Sequence, residues 1–167
     1  MNGDLSLASV LYDRYHKHLY NFFVKISLDR ELAQDLTQNV FLRMIRFKHT
    51  FKKTGKFKSW LFQIARNEFA DHYRRKGTNS LENTDYLASN EDPVDIKWAK
   101  DEREKLLYIA LYRLNLEQRE VLLLSKFEKM KYEEIAELYE TSVGAIKSRI
   151  HRAMGQLREH YFKLERV

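Results

Sequence analysis

The 167-residue chain contains no cysteine. Disulfides, thiolate metal sites and cysteine nucleophiles are therefore excluded, which fits a reducing compartment. One proline and five glycines are few punctuators for this length, and they suit helices with short connections better than many strands and turns. Long apolar runs are missing as well: the longest, Leu106 to Tyr112, is far too short to span a bilayer. The start, Met-Asn-Gly-Asp, leads into no apolar signal core. A soluble, cytoplasmic protein with no membrane insertion is expected. Catalytic constellations are also wanting. His16, His18, His49, His72, His151 and His160 include no pair at the i, i+4 spacing of HExxH zinc sites. Gly55-Lys56 has Thr50 where a phosphate loop needs its first glycine, and no serine sits in a nucleophile elbow. The reading is a binding protein, with no catalytic residue, no metal and no cofactor.

What is present is charge, unevenly spread. The composition, 44% hydrophobic and 32% charged, is that of a folded chain. Residues 1–76 carry 15 basic and 7 acidic side chains, residues 77–95 none and 5, and residues 96–167 15 and 12. Two basic bodies joined by an acidic strap suit a polyanion touched at two places, although many basic proteins never bind nucleic acid.

Hydrophobic spacing gives the elements. Leu7, Val10, Leu11, Tyr15, Leu19, Phe22, Phe23 and Ile26 step by three and four, as on an amphipathic helix. A second helix follows, with Asp29 as N-cap and Leu32, Leu36, Val40, Met44 and Phe47 inward. After a basic loop at 48–56, Phe57, Trp60, Leu61, Ile64, Ala65 and Phe69 mark a third helix ending near residues 74–77. Gly77 to Asp95 is polar, holds the only proline and has no basic residue, so it reads as a flexible acidic linker. Ile96 to Leu114 is expected to be helical. Asn115, with Gln118 three places on, opens a helix through Val121, Leu122 and Phe127, and two more lie near 132–139 and 143–161. The fold class is all-α: two small helical domains, 1–76 and 96–167, joined by the linker 77–95.

Tyr132 to Arg152, YEEIAELYETSVGAIKSRIHR, has the layout of a helix-turn-helix, whose second helix lies in the major groove. Val143, Ile146, Ile150, Ala153 and Leu157 share one face of that helix. Lys147, Ser148, His151 and Arg152 fall broadly opposite, where base edges and phosphates need donors and charge. An ordinary amphipathic helix with a solvated basic face gives the same pattern. In the first half, Leu42 and Ile45 lie opposite the core stripe beside Asp35 and Gln38; a protein contact and packing under the neighbouring loop both account for them. Residues 43–58 hold seven basic side chains and no acidic one, interleaved with Phe47, Phe51 and Phe57. Cations tracking a backbone beside aromatics suit single-stranded nucleic acid, although Phe57 and Trp60 sit on the apolar side of their helix.

NLEQREVLLL at 115–124, followed by YEEIAELYETSVGAIKSRIHRAMGQLRE, resembles the promoter-reading carboxy-terminal domain of extracytoplasmic-function sigma factors of bacterial RNA polymerase. LAQDLTQNVFLR at 32–43 and FKSWLFQIARNEFADHYRR at 57–75 resemble the polymerase-binding and promoter-melting helices of the same family, in the same order. The resemblance covers roughly residues 5–160. It implies that core polymerase docks on Asp35, Gln38 and Asn39, to which the exposed Leu42 is added. It implies that Asn67, Asp71, Arg74 and Arg75, with Lys52, Lys53 and Lys56 of the loop, hold the single-stranded downstream (−10) element. Lys147, Ser148, Arg149, His151 and Arg152, with Ser142 at the helix start, are implied to read the duplex upstream (−35) element. The partners so implied are core polymerase, promoter DNA and, as is common in the family, an anti-sigma factor, with the free protein a monomer. Three departures matter: Asn39 stands where the family commonly has a carboxylate, Glu140 stands where glycine is common in the turn, and His151 leaves the identity of the base it contacts open. A helix-turn-helix regulator acting alone as a dimer and a helical adaptor are the rival readings.

Overall fold

A computed structural model describes residues 2–52, 54–75 and 96–166, with side chains from Ser6 onward. Lys53 and the linker expected at 77–95 lie outside the described residues. Among those described there is no strand, and they gather into two compact units.

The first unit is built from α1 (Asn2–Ser27) as far as Val24, α2 (Arg30–Arg46), a 3-10 turn (Lys48–Thr50) and α3 (Phe57–Arg75), while Lys25–Leu28 group with the second unit. Asp29 starts α2 as expected, its Oδ1 accepting from Leu32 N–H at 2.9 Å. Leu19, Phe22, Phe23, Leu36, Val40, Leu61, Phe62, Ala65 and Phe69 are the buried core, with Phe22 edge-on to Phe62 at 5.3 Å. The expected stripe of α1 is buried only from its middle. Leu7 and Val10 stay 58% and 52% exposed. Leu7 and Leu11 there share an apolar groove of about 420 Å³ with Ile45, Phe51, Phe57 and Trp60.

The second unit holds α4 (Glu102–Tyr112), α5 (Leu116–Leu122) running into a π-helical turn (Leu123–Phe127), α6 (Tyr132–Leu138) and α7 (Val143–Glu165). Helix α4 is shorter than the expected Ile96–Leu114. Asp101 caps it by accepting from Glu104 N–H at 2.8 Å, and Glu104 accepts from Lys100 N–H at 2.6 Å, so the chain turns there instead of continuing a helix upstream. Ile96 is nonetheless buried, beside Tyr108 and Ile109. Asn115 caps α5 through Gln118 N–H at 2.9 Å. Arg119, fully buried, donates to the carbonyls of Leu111 and Leu114 at 3.2 and 2.9 Å and to that of Tyr112. It thereby satisfies the orphan acceptors at the end of α4. Phe127 ends 40% exposed, outside the core.

Candidate functional site

In the second unit, α6 and α7 form a helix-turn-helix whose turn is closed by backbone bonds. Thr141 N–H donates to Ala136 O at 2.9 Å and Glu140 N–H to Glu137 O at 3.1 Å, the pattern that ends a helix in a left-handed residue. That residue is Glu140, at φ 50°. The turn therefore has the positive φ that favours glycine, and Glu140 carries a penalty of about 1 kcal/mol. Ser142 starts α7, its Oγ accepting from Ala145 N–H at 3.1 Å. This hydroxyl is committed to the cap.

Ile146, Ile150 and Ala153 of α7 are buried, with Val143 and Leu157 half-buried. Lys147, Ser148, His151 and Arg152 all point out, exposed. Arg149 is different: its Nη1 pairs with Glu117 of α5 at 2.6 Å, and its guanidinium lies 5.5 Å from the Tyr139 ring. Tyr139 in turn donates its hydroxyl to Glu120 at 2.6 Å. Arg149 thus braces α7 against α5 and the turn, and four of the six expected readers form one outward face.

In the first unit, Asp35 and Gln38 are exposed, Leu42 is 66% exposed and Ile45 47%. Packing under the loop therefore does not account for Leu42. Asn39 is half-buried instead, its Nδ2 donating to Glu68 at 3.0 Å. The loop at 48–56 is tied to α3: Trp60 Nε1 donates to Thr50 Oγ1 at 3.1 Å, and Phe51 lies 5.8 and 5.3 Å from the Phe57 and Trp60 rings. Those aromatics are half-buried and fix the loop, leaving Lys52 and Lys56 exposed. Asn67 midway along α3, and Arg74 and Arg75 at its far end, are exposed. Asp71 is paired with Arg74 at 3.0 Å and with Arg43 at 2.9 Å. Sequence reasoning passed over Arg43 as a contact and Glu68 altogether. Glu68 sits on the apolar stripe, three and four places after Ala65 and Ile64, and a carboxylate at such a position is the signal that it was buried and paired.

Among the described residues, no three His, Asp or Glu side chains are grouped to hold a metal ion, and no helix is long and apolar enough to cross a membrane.

Comparison with known proteins adds to this geometry. Residues 11–78 match the family model Sigma-70 region 2, and residues 105–157 match Sigma-70, region 4. The RNA polymerase sigma factor CarQ of Myxococcus xanthus is 32% identical over 160 residues, spanning 93% of this chain and 89% of CarQ. The ECF RNA polymerase sigma factor SigX of Bacillus subtilis is 29% identical over 159 residues, 90% of this chain and 81% of SigX. Among solved structures, the sigma factor RpoE in complex with the anti-sigma factor NepR from Bartonella quintana has a TM-score of 0.72 at 26% identity, covering 91% of this chain and 94% of that one. CnrH, solved with the cytosolic domain of CnrY, has a TM-score of 0.70 at 23% identity and shares the fold.

Proposed function

Because the chain belongs to the extracytoplasmic-function sigma factors, promoter-specific initiation subunits of RNA polymerase and not enzymes, we propose that it recruits core polymerase, reads the upstream element as duplex and holds the downstream element as an opened strand. The observation that carries this reading is the outward face of α7. Lys147, Ser148, His151 and Arg152 are exposed together on a helix whose start is capped and whose opposite side is core. Donors on a rigid helix are what the edges of major-groove bases require. Helix α2 offers the polymerase a separate patch, with Asp35, Gln38 and the exposed Leu42 at its centre and Asn39 at its edge. A large apolar side chain held in solvent among polar ones suits a protein partner. Lys52, Lys53 and Lys56 of the loop before α3, and Asn67, Asp71, Arg74 and Arg75 of α3 itself, are assigned to the opened strand.

The domains run 1–76 and 96–167. The acidic linker 77–95 passes through a cationic channel of the polymerase, its five carboxylates favouring a positive lining. The protein works in the cytoplasm as a monomer until it joins polymerase. The complex of RpoE with the anti-sigma factor NepR makes a protein inhibitor of the same kind the partner to look for. Reconstitution with core polymerase tests the whole reading. Promoter-dependent transcription, with permanganate-reactive thymines near −10 only when this chain is present, is the expected result. A specific footprint by the purified chain alone, as a dimer, would defeat it.

A further inference from the structure

Between α2 and α3 lies a charge cluster whose centre, Glu68 with Arg43, belongs to none of the three proposed surfaces. Glu68 is 1% exposed. Its Oε1 accepts from Asn39 Nδ2 at 3.0 Å and from Arg75 Nη2 at 3.2 Å, and its Oε2 faces Arg43 Nε at 2.6 Å. Arg43 reaches on to Asp71 at 2.9 Å, Asp71 takes Arg74 at 3.0 Å, and Arg75 Nε donates to the Asp71 carbonyl at 3.2 Å. Two carboxylates thus meet three guanidiniums. A buried carboxylate survives only when its partners repay the lost hydration, and these partners come from both helices.

We propose that Glu68 is a positioning residue for promoter opening, holding the Arg75 guanidinium ready for the opened strand and tying it to the polymerase-docking helix through Asn39 and Arg43. The inference rests on the reading of α3 as the strand-holding element. Arg75 is 64% exposed, and a long side chain so placed would otherwise sample many rotamers. Anchoring two of its five N–H donors on Glu68 and the Asp71 carbonyl leaves three for phosphate oxygens. Asn39 stands one turn from Asp35, and Arg43 one turn beyond Asn39, so the α2 partners of Glu68 share the helix that meets polymerase.

The test uses reconstituted holoenzyme with E68Q, R75A and the double variant, followed by permanganate reactivity and by affinity for core polymerase. E68Q keeps the side chain's shape and loses its charge. Open complex should fall about tenfold, as expected when two coupled neighbours are parted, while core affinity stays within about twofold of wild type. In the R75A background E68Q should cost no further open complex, because its effect passes through Arg75. An equal loss with and without Arg75, or wild-type opening by E68Q, would overturn the proposal. If E68Q does not fold, R75K serves instead: exposed and still cationic, but unable to span Glu68 and a phosphate, it should open promoters as poorly as R75A, and wild-type opening by R75K would overturn the proposal equally. A wild-type chain that gives no promoter-dependent transcription would sink the parent reading, an outcome distinct from a working wild type with an indifferent E68Q.

Discussion

The two units treat their cations in opposite ways. In the first, Arg43, Arg74 and Arg75 are bound to Glu68 and Asp71, two carboxylates of α3, so these three guanidiniums are already anchored. In the second, Lys147, Ser148, His151 and Arg152 stand exposed on α7, and rigidity is supplied from behind by Ile146, Ile150 and Ala153 and from the side by Arg149 and Glu117. The difference matches the targets proposed for them. Duplex DNA is a stiff partner, so a rigid helix carrying adaptable side chains can read it. An opened strand is flexible, and holding it favours side chains whose freedom was lost beforehand.

Removing the support behind α7 should have the largest effect. Ile146→Ala opens a cavity at a fully buried site and should cost about 2–4 kcal/mol, measured by denaturant unfolding. Binding to every upstream sequence should weaken together, since no base contact is changed. A selective shift in promoter preference would mean that α7 does not act as a rigid unit.

Next come the outward side chains against the brace. Lys147→Ala and His151→Ala should each change the preferred upstream sequence, a lost base contact being worth about 1–3 kcal/mol of discrimination. Arg149→Gln should leave that preference unaltered and weaken all upstream sequences modestly, because its partner is Glu117. Exchanging the charges, with Glu117→Arg and Arg149→Glu together, should restore part of the loss. A randomised-promoter profile for each variant distinguishes readers from brace. A new preference in Arg149→Gln would return Arg149 to the reading face.

This split was only partly legible in the sequence. Period and caps were enough for most of the helices: Asp29, Asn115 and Ser142 all cap where the spacing placed them. Helical phase also put Lys147, Ser148, His151 and Arg152 outward. Phase cannot give the partner of a side chain, and there the reading stopped. Asn39 meets Glu68 across 29 residues of sequence, and Arg149 meets Glu117 on another helix. The signals that were available were charges on apolar stripes, Glu68 after Ile64 and Ala65, and Arg119 three places after Leu116. A charged side chain that is fully buried is almost always paired. The start of α4 was misread because apolar residues from Ile96 onward outweighed Asp101 and Glu104, whose three-residue spacing is itself a cap signal.

A smaller effect should come from the turn that aims α7. Glu140 holds φ 50° without being glycine, a strain with no equivalent on the outward face. Glu140→Gly should stabilise the protein by about 0.5–1 kcal/mol, the relief of strain exceeding the added unfolded-state entropy. Thermal unfolding measures it. Promoter preference should be unchanged, which would show that the strain is not needed to present the reading side chains.

The smallest effect concerns a cation that the second unit declines to keep. His160 on α7 has its pKa held below the ordinary histidine value, chiefly by partial burial and then by the charge of Arg113, with Glu159 opposing and Lys163 adding slightly. The first unit answers crowded cations with carboxylates; here the imidazole stays neutral instead. An unfolded chain binds the proton near pH 6.5, whereas the folded one binds it only at lower pH. Between the two values the unfolded state holds more protons, so stability is complete above about pH 7 and declines as pH falls through that window. His160→Gln cannot titrate and should flatten that part of the profile relative to wild type. Unfolding midpoints compared between pH 7.5 and pH 5 decide it: parallel profiles would mean that His160 protonates as readily folded as unfolded, and that the second unit tolerates the added charge.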